Sequence, residues 1–180
     1  NGIVEVTEEC DDGNNADGDG CSAACKASRG YFKTKPGASC KAVIDAAKTE
    51  GFTPKDGAFW LDPAGGDPSD AFQAWCDMTT DGGGWTLVRT VAPNDGNSVG
   101  YNNQAFWTSN AEYGKLADAF SKDYKGPADY LVQGTSLMIQ SASPGATGSI
   151  LGWRRWPMLN NQARTFDSFF STGIVGVHGS

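Results

Sequence analysis

The sequence predicts an α+β fold, with a twisted, mainly antiparallel sheet, short helices and long loops. Three observations carry this. The run Phe72–Met78 alternates, with Phe72, Ala74, Cys76 and Met78 on one face, and leads through a polar turn and Gly82–Gly84 into a second apolar run, Trp85–Val91. Gly, Asn and Asp clusters, with Gly alone at 24 residues, cut the chain into short apolar stretches, which favours strands and loops over a helical bundle. One short amphipathic helix is legible from Cys40 to Lys48: Ser39 serves as its N-cap, Gly51 ends it, and Val43, Ala46 and Ala47 fall on one face.

Taken in order, strands are predicted at 57–61, 71–78, 84–91, 130–140 and 149–155. The last two rest on the runs Tyr130–Gln140, interrupted at Gly134, and Ile150–Trp156. After Val91, APNDGNSVGYNNQAFW has no hydrophobic period and reads as a long loop. Ser109–Ala119 has helical spacing through Leu116, Ala119 and Phe120, and Gln162–Phe170 reads as a short helix grouping Phe166, Phe169 and Phe170. Residues 1–25 hold only Ile3, Val4 and Val6 as an apolar group, too few for a core, so disulfides or a metal must shape them. Residues 26–37 show no periodicity and read as a linker, which leaves 38–180 as the main domain.

Composition narrows the function. A net charge of −7 and a pI near 4.6 exclude nucleic acid as a partner and suit calcium held by carboxylates. No apolar run reaches the roughly 18 residues needed to cross a bilayer, so no membrane insertion is expected. The chain has neither an initiator Met nor a signal peptide and reads as a mature or excised segment of an extracellular protein. Catalysis has little to stand on. His178 is the single histidine, and the glycine run fits neither GxxxxGK[ST] nor GxGxxG, so no enzyme is expected.

The string CDMTTDGGGWTLV, Cys76 to Val88, together with SCKAVIDA and DGAFWLDP upstream, resembles the opening of fibrinogen-like domains. The later segments DYKGPADYLVQ and ILGWRRWPM make residues of about 38–170 similar to the intelectin type, calcium-dependent lectins. That resemblance implies a disulfide between Cys40 and Cys76, with about 3–4 kcal/mol of loop-closure stabilisation. It also implies calcium ligands at Asn94 and Asp95 in the loop, completed by Asp123, with Ala92 and Pro93 standing where the family has a polar pair. The family's sugar-contacting part is expected beyond the point where this sequence stops, so little sugar binding is expected of residues 1–180 alone.

The N-terminal run ECDDGNNADGDGCSAAC resembles myxobacterial-type cysteine-rich repeats, whose members carry a further cysteine just upstream. Two of Cys10, Cys21 and Cys25 are then left to pair; the third has a partner upstream, in another chain, or none. Asn15, Asp17 and Asp19 alternate ahead of Gly20 like the first half of a calcium loop, but Lys26 stands where an EF-hand needs its acid. Two readings remain: a looser calcium loop, or turn-formers held by neighbouring disulfides.

The resemblances imply a secreted or cell-surface, calcium-binding, lectin-like recognition module for glycans or adhesion. The alternative is a structural, assembling subunit without sugar binding, in which calcium and disulfides only stiffen the fold. Self-association or pairing with another chain is expected through the apolar ending GIVGVHGS, which reads as an open strand edge. Trp153 and Trp156 around Arg154–Arg155 read as packing rather than a sugar platform.

Overall fold

A computed structural model describes residues 2–11, 13–14, 19–92, 95–97, 99, 102–142, 150–157 and 162–171. It is α+β, with small antiparallel sheets and short helices, and it divides into two compact units, Asn1–Leu87 and Val88–Ser180.

The first unit is built on helix α1, Cys40–Glu50, against a three-stranded sheet. Ser39 caps α1 through its hydroxyl, which accepts the Ala42 N–H, and Gly51 ends it in the left-handed region at φ 92°. Cys40, Val43, Ile44 and Ala47 form its buried face. Strand β1, Gly57–Leu61, pairs antiparallel with β2, Phe72–Asp77, from Gly57 opposite Cys76 to Leu61 opposite Phe72. The inward positions Phe59, Leu61, Ala74 and Cys76 complete the core. The far side of β2 pairs with β3, Trp85–Thr86. A disulfide joins Cys40, the first residue of α1, to Cys76 on the central strand.

The glycine turn between β2 and β3 passes beneath α1. Its polar start is fixed by Asp77, whose Oδ1 accepts the N–H groups of Thr79 and Thr80, and by Asp56, which accepts that of Met78. At Gly83 the backbone lies at φ 73°, and a methyl there would come within 2.0 Å of the Met78 carbonyl oxygen. Only glycine satisfies both constraints.

Residues 26–37, expected as a linker, run along β1 instead. Gly30 accepts the Trp60 N–H, Gly37 donates to the Trp60 carbonyl, and Asp62 donates back to Gly37. Tyr31 packs edge-on against Phe59 with ring centroids 5.0 Å apart. Ahead of this stretch, Cys10 and Cys21 form a second disulfide, at the centre of a small cluster with Ala27 and Phe32. Cys25 is a free thiol.

The second unit holds two short ribbons. Strand β4, Arg89–Thr90, pairs with β5, Tyr124–Lys125, and β6, Ser136–Ala142, pairs with β7, Ile150–Pro157. Three short helices accompany them: α2, Gln104–Thr108; α3, Ala128–Leu131; and α4, Phe166–Ser171.

Three sequence expectations are corrected here. The single strand at 84–91 divides into β3 and β4, whose partners lie in different sheets, because the chain passes from one unit to the next at Leu87–Val88. The helix expected over 109–119 is a single 3-10 turn at Leu116–Asp118, because Tyr113 bridges to Lys125 and Gly114 turns at φ 72°. The strand expected from residue 130 begins only at Ser136, after α3, while Gly134 bridges to Arg164. The ending GIVGVHGS, with His178, lies outside the described residues.

Alanine substitution separates backbone conformation from close approach. Gly83→Ala should destabilise by about 2–4 kcal/mol. Gly82→Ala, also at positive φ but with open space at the methyl position, should cost only about 1–2 kcal/mol. Chemical denaturation of the two variants checks the difference, which vanishes if the contact with Met78 is unimportant.

Candidate functional site

The second unit is organised by buried charge. Arg89, on β4, is nearly buried and makes a two-pronged contact with Asp129 at the first turn of α3: Nε donates to Oδ2, and Nη2 donates to Oδ1 at 2.8 Å. Nη2 also donates to the Trp107 carbonyl at 3.1 Å. The guanidinium lies over the rings of Phe106, Trp107 and Phe166, at 5.6, 5.5 and 5.0 Å from their centroids. Lys125, fully buried on β5, donates from Nζ to the carbonyls of Phe106 and Ser109. Burial, with the nearby Arg89 charge, pushes the Lys125 ammonium below the usual lysine range. This group ties α2, α3, β4 and β5 together and reads as framework: its donors and acceptors are turned on one another.

Next to it lies the strongest candidate for a ligand. Asp123, just before β5, is 2% exposed. Its Oδ1 accepts the Ala92 N–H at 2.8 Å, and its own N–H donates to Asp95 Oδ2 at 2.9 Å. Asp95 Oδ1 accepts the Asn97 N–H at 2.8 Å. These main-chain donors, Asp123 first and then Asn97, hold the Asp95 carboxyl below the usual carboxylate range. Asp123 Oδ2 is buried and has no hydrogen-bond partner among the described residues. The two acids border a polar cavity of about 320 Å³ that Asn97, Tyr113, Gly114 and Asp118 also line. Lys115 and Lys122 reach it too, Lys122 Nζ lying 3.9 Å from Asp118 Oδ2.

Of the residues expected to hold calcium, Asp95 and Asp123 are therefore brought together, while Asn94 lies outside the described residues. In the N-terminal repeat, Asn15 and Asp17 also lie outside them. Asp19 is exposed there and accepts from Asn14 Nδ2 at 3.0 Å. Among the described residues no three His, Cys, Asp or Glu side chains are grouped to hold a metal, so an ion at Asp95 and Asp123 would complete its shell from Asn97, main-chain carbonyls and water. In a second polar cavity of about 320 Å³, bordered by Glu8, Asp11 and Asn14, the Cys25 thiol donates to Glu8 Oε1 at 3.3 Å. That bond, with burial, holds the thiol above its ordinary pKa.

Residues 23–147 match the model of the fibrillar collagen C-terminal domain. The chain belongs to that family.

The assignment to fibrinogen-like domains of the intelectin type is corrected by this match, and the lectin-like reading falls with it. The physical reason is visible in the turn. CDMTTDGGGWTLV lies inside the matched range and encodes a strand, an Asp-capped turn, a close passage under α1 and a second strand. It reports local geometry and carries no information about a sugar. The assignment of residues 1–25 to a myxobacterial-type repeat is corrected too, since the match already begins at Ala23 and takes in Cys25. The family is structural, not enzymatic. Among the described residues no helix is long and apolar enough to cross a membrane.

Sequence reasoning missed the Arg89–Asp129 pair. Its one signal was an arginine inside the apolar run TLVRTV, where a charge that is buried needs an internal counter-charge.

Tyr124, 4% exposed on β5, gives a test of how tightly this unit is packed. Burial, helped by the charge of Glu112, pushes its phenol from 10 up to about 12. A group whose folded pKa is raised contributes stability that is complete below its unfolded pKa and is lost as pH rises through the folded one. The protein should therefore lose stability across pH 10 to 12, and Tyr124→Phe should flatten that limb of a melting profile. An unchanged limb would mean that the ring is solvated.

Proposed function

We propose that this chain is an extracellular, self-associating structural module, the alternative to a lectin. The observation that carries it is the family match over more than half of the chain. Fibrillar collagen C-terminal domains are trimerisation and assembly modules of extracellular proteins. The architecture supports it. Two disulfides and a buried ion pair stiffen short elements, while apolar side chains remain outside: Leu151 is 72% exposed and Ile139 58%. With Trp153 and Trp156, 40% and 47% exposed in the same ribbon, they offer apolar surface that a protein partner would cover. Light scattering on the oxidised chain should report a mass that rises with concentration to a multiple of 18.9 kDa. A constant mass of one chain up to high micromolar concentration would refute assembly.

Calcium belongs to this reading as a stiffening ion. The unpartnered buried oxygen of Asp123 supports it, because a carboxylate oxygen removed from water needs a cation or a proton. Asp95, Asp123 and, from the loop, Asn94 are the proposed ligands, with oxygen donors suited to a hard cation. Asp19 offers no comparable orphaned oxygen, so the proposal leaves out Asn15, Asp17 and Asp19. Calcium at a hundredfold excess over its Kd should stabilise the oxidised protein by about 2.7 kcal/mol. Asp123→Asn should remove most of that gain. A melting temperature indifferent to chelation in the unmodified protein would exclude the site.

A further inference from the structure

The charge of this chain is unevenly placed, and the unevenness falls on its exposed apolar side chains. Residues 1–25 carry seven of the 21 acidic residues and no Lys or Arg, so the 14 acids elsewhere balance the 14 basic residues and the whole net charge of −7 resides in this segment. Within it Ile3, Val4 and Val6 are 68%, 56% and 105% exposed, with Glu5 between them. From Tyr130 to Phe166 the pattern is reversed: there is no Asp or Glu, and Arg154, Arg155 and Arg164 are the charged residues.

The β6–β7 ribbon displays that basic stretch. Its register puts Leu137 opposite Trp156 and Ile139 opposite Arg154 on one face, with Met138 opposite Arg155 and Gln140 opposite Trp153 on the other. Each face thus presents a tryptophan and an arginine. Trp153 and Trp156 are 40% and 47% exposed, and every described side chain of β7 faces solvent. Among the described residues the sheet has only these two strands, and none of them pairs with either outer edge. Aromatic and arginine side chains on an open ribbon are the composition of interface anchors.

We propose that the β6–β7 ribbon of one copy binds the acidic Ile3–Val6 segment of a second copy of this chain. The apolar side chains of the segment pack on Leu137, Ile139 and Trp156, and Glu5 faces Arg154 on the same face of the ribbon. Charge selects this occupant. Ribbon against ribbon would bring Arg154 and Arg155 of two copies together, and like charges in a contact are repulsive. The acidic segment offers apolar surface with the opposite sign. A contact between two different surfaces is heterologous, so it closes into a ring or grows into an open filament; it does not end at a two-fold dimer. The proposal rests on the assembly reading and names the surfaces that carry it.

Charge reversal on the full oxidised chain tests it by sedimentation. Arg154→Glu with Arg155→Glu, and separately Glu5→Lys with Val6→Lys, alter exposed residues and should leave the far-UV spectrum unchanged. Each pair should raise the Kd of self-association about tenfold or more, and joining all four substitutions in one chain should restore it. If the unmodified chain associates and neither reversal weakens it, the surfaces are wrong while the assembly reading stands. If both reversals weaken association but the combined variant does not recover it, the two surfaces do not meet each other and the proposal fails. An unmodified chain that stays monomeric overturns both readings.

Discussion

The Cys40–Cys76 disulfide is the constraint on which the first unit depends. It ties the first residue of α1 to the middle strand of a sheet whose outer strands have five and two residues. Closing this loop contributes about 4 kcal/mol on the chain-entropy model. Sheets this small are marginal alone and need a packed helix to persist. The bond sets α1 down where Val43 and Ile44 cover the strands, and that position leaves no room beneath the helix for a side chain at Gly83 or Gly84. Gly84, and Gly83 in part, follow from the helix that the disulfide positions.

The second unit meets a similar shortage of core by another route. Its strands β4 and β5 have two residues each, and no disulfide joins its described elements. Arg89 and Asp129 take that place, sheathed by Phe106, Trp107 and Phe166. A buried pair of this kind is costly to break and contributes little beyond an apolar core of the same volume, so its value lies in direction. The planar guanidinium fixes the orientation of α3 to β4, which apolar packing alone would leave loose.

How much was legible follows the range of the forces involved. Helix α1 could be read because Ser39, Val43, Ala47 and Gly51 act within one element, and β1 because GAFWL is a short apolar run bounded by Asp56 and Asp62. The division of 84–91 could not be read: Trp85 and Arg89 lie in one apolar run, and their different partners are set by tertiary pairing. The helix expected at 109–119 failed for the same reason, since the Tyr113–Lys125 bridge overrides local helical spacing. In the candidate calcium site, Asp95 and Asp123 were singled out in the sequence, but the burial of Asp123 and its orphaned oxygen were not. The lectin reading shows the limit of motifs. A string that encodes a turn does not by itself carry a function, because fold does not imply function.

What unites the two units is stiffness with exposed apolar residues, the character expected of a part that assembles with copies of itself. Subunit exchange tests this most directly. Isotope-labelled and unlabelled chains, purified separately in the oxidised state and mixed with calcium, would be weighed by native mass spectrometry. Mixed oligomers containing both kinds of chain, growing in with time, are expected. Spectra holding only single chains at every concentration would contradict assembly.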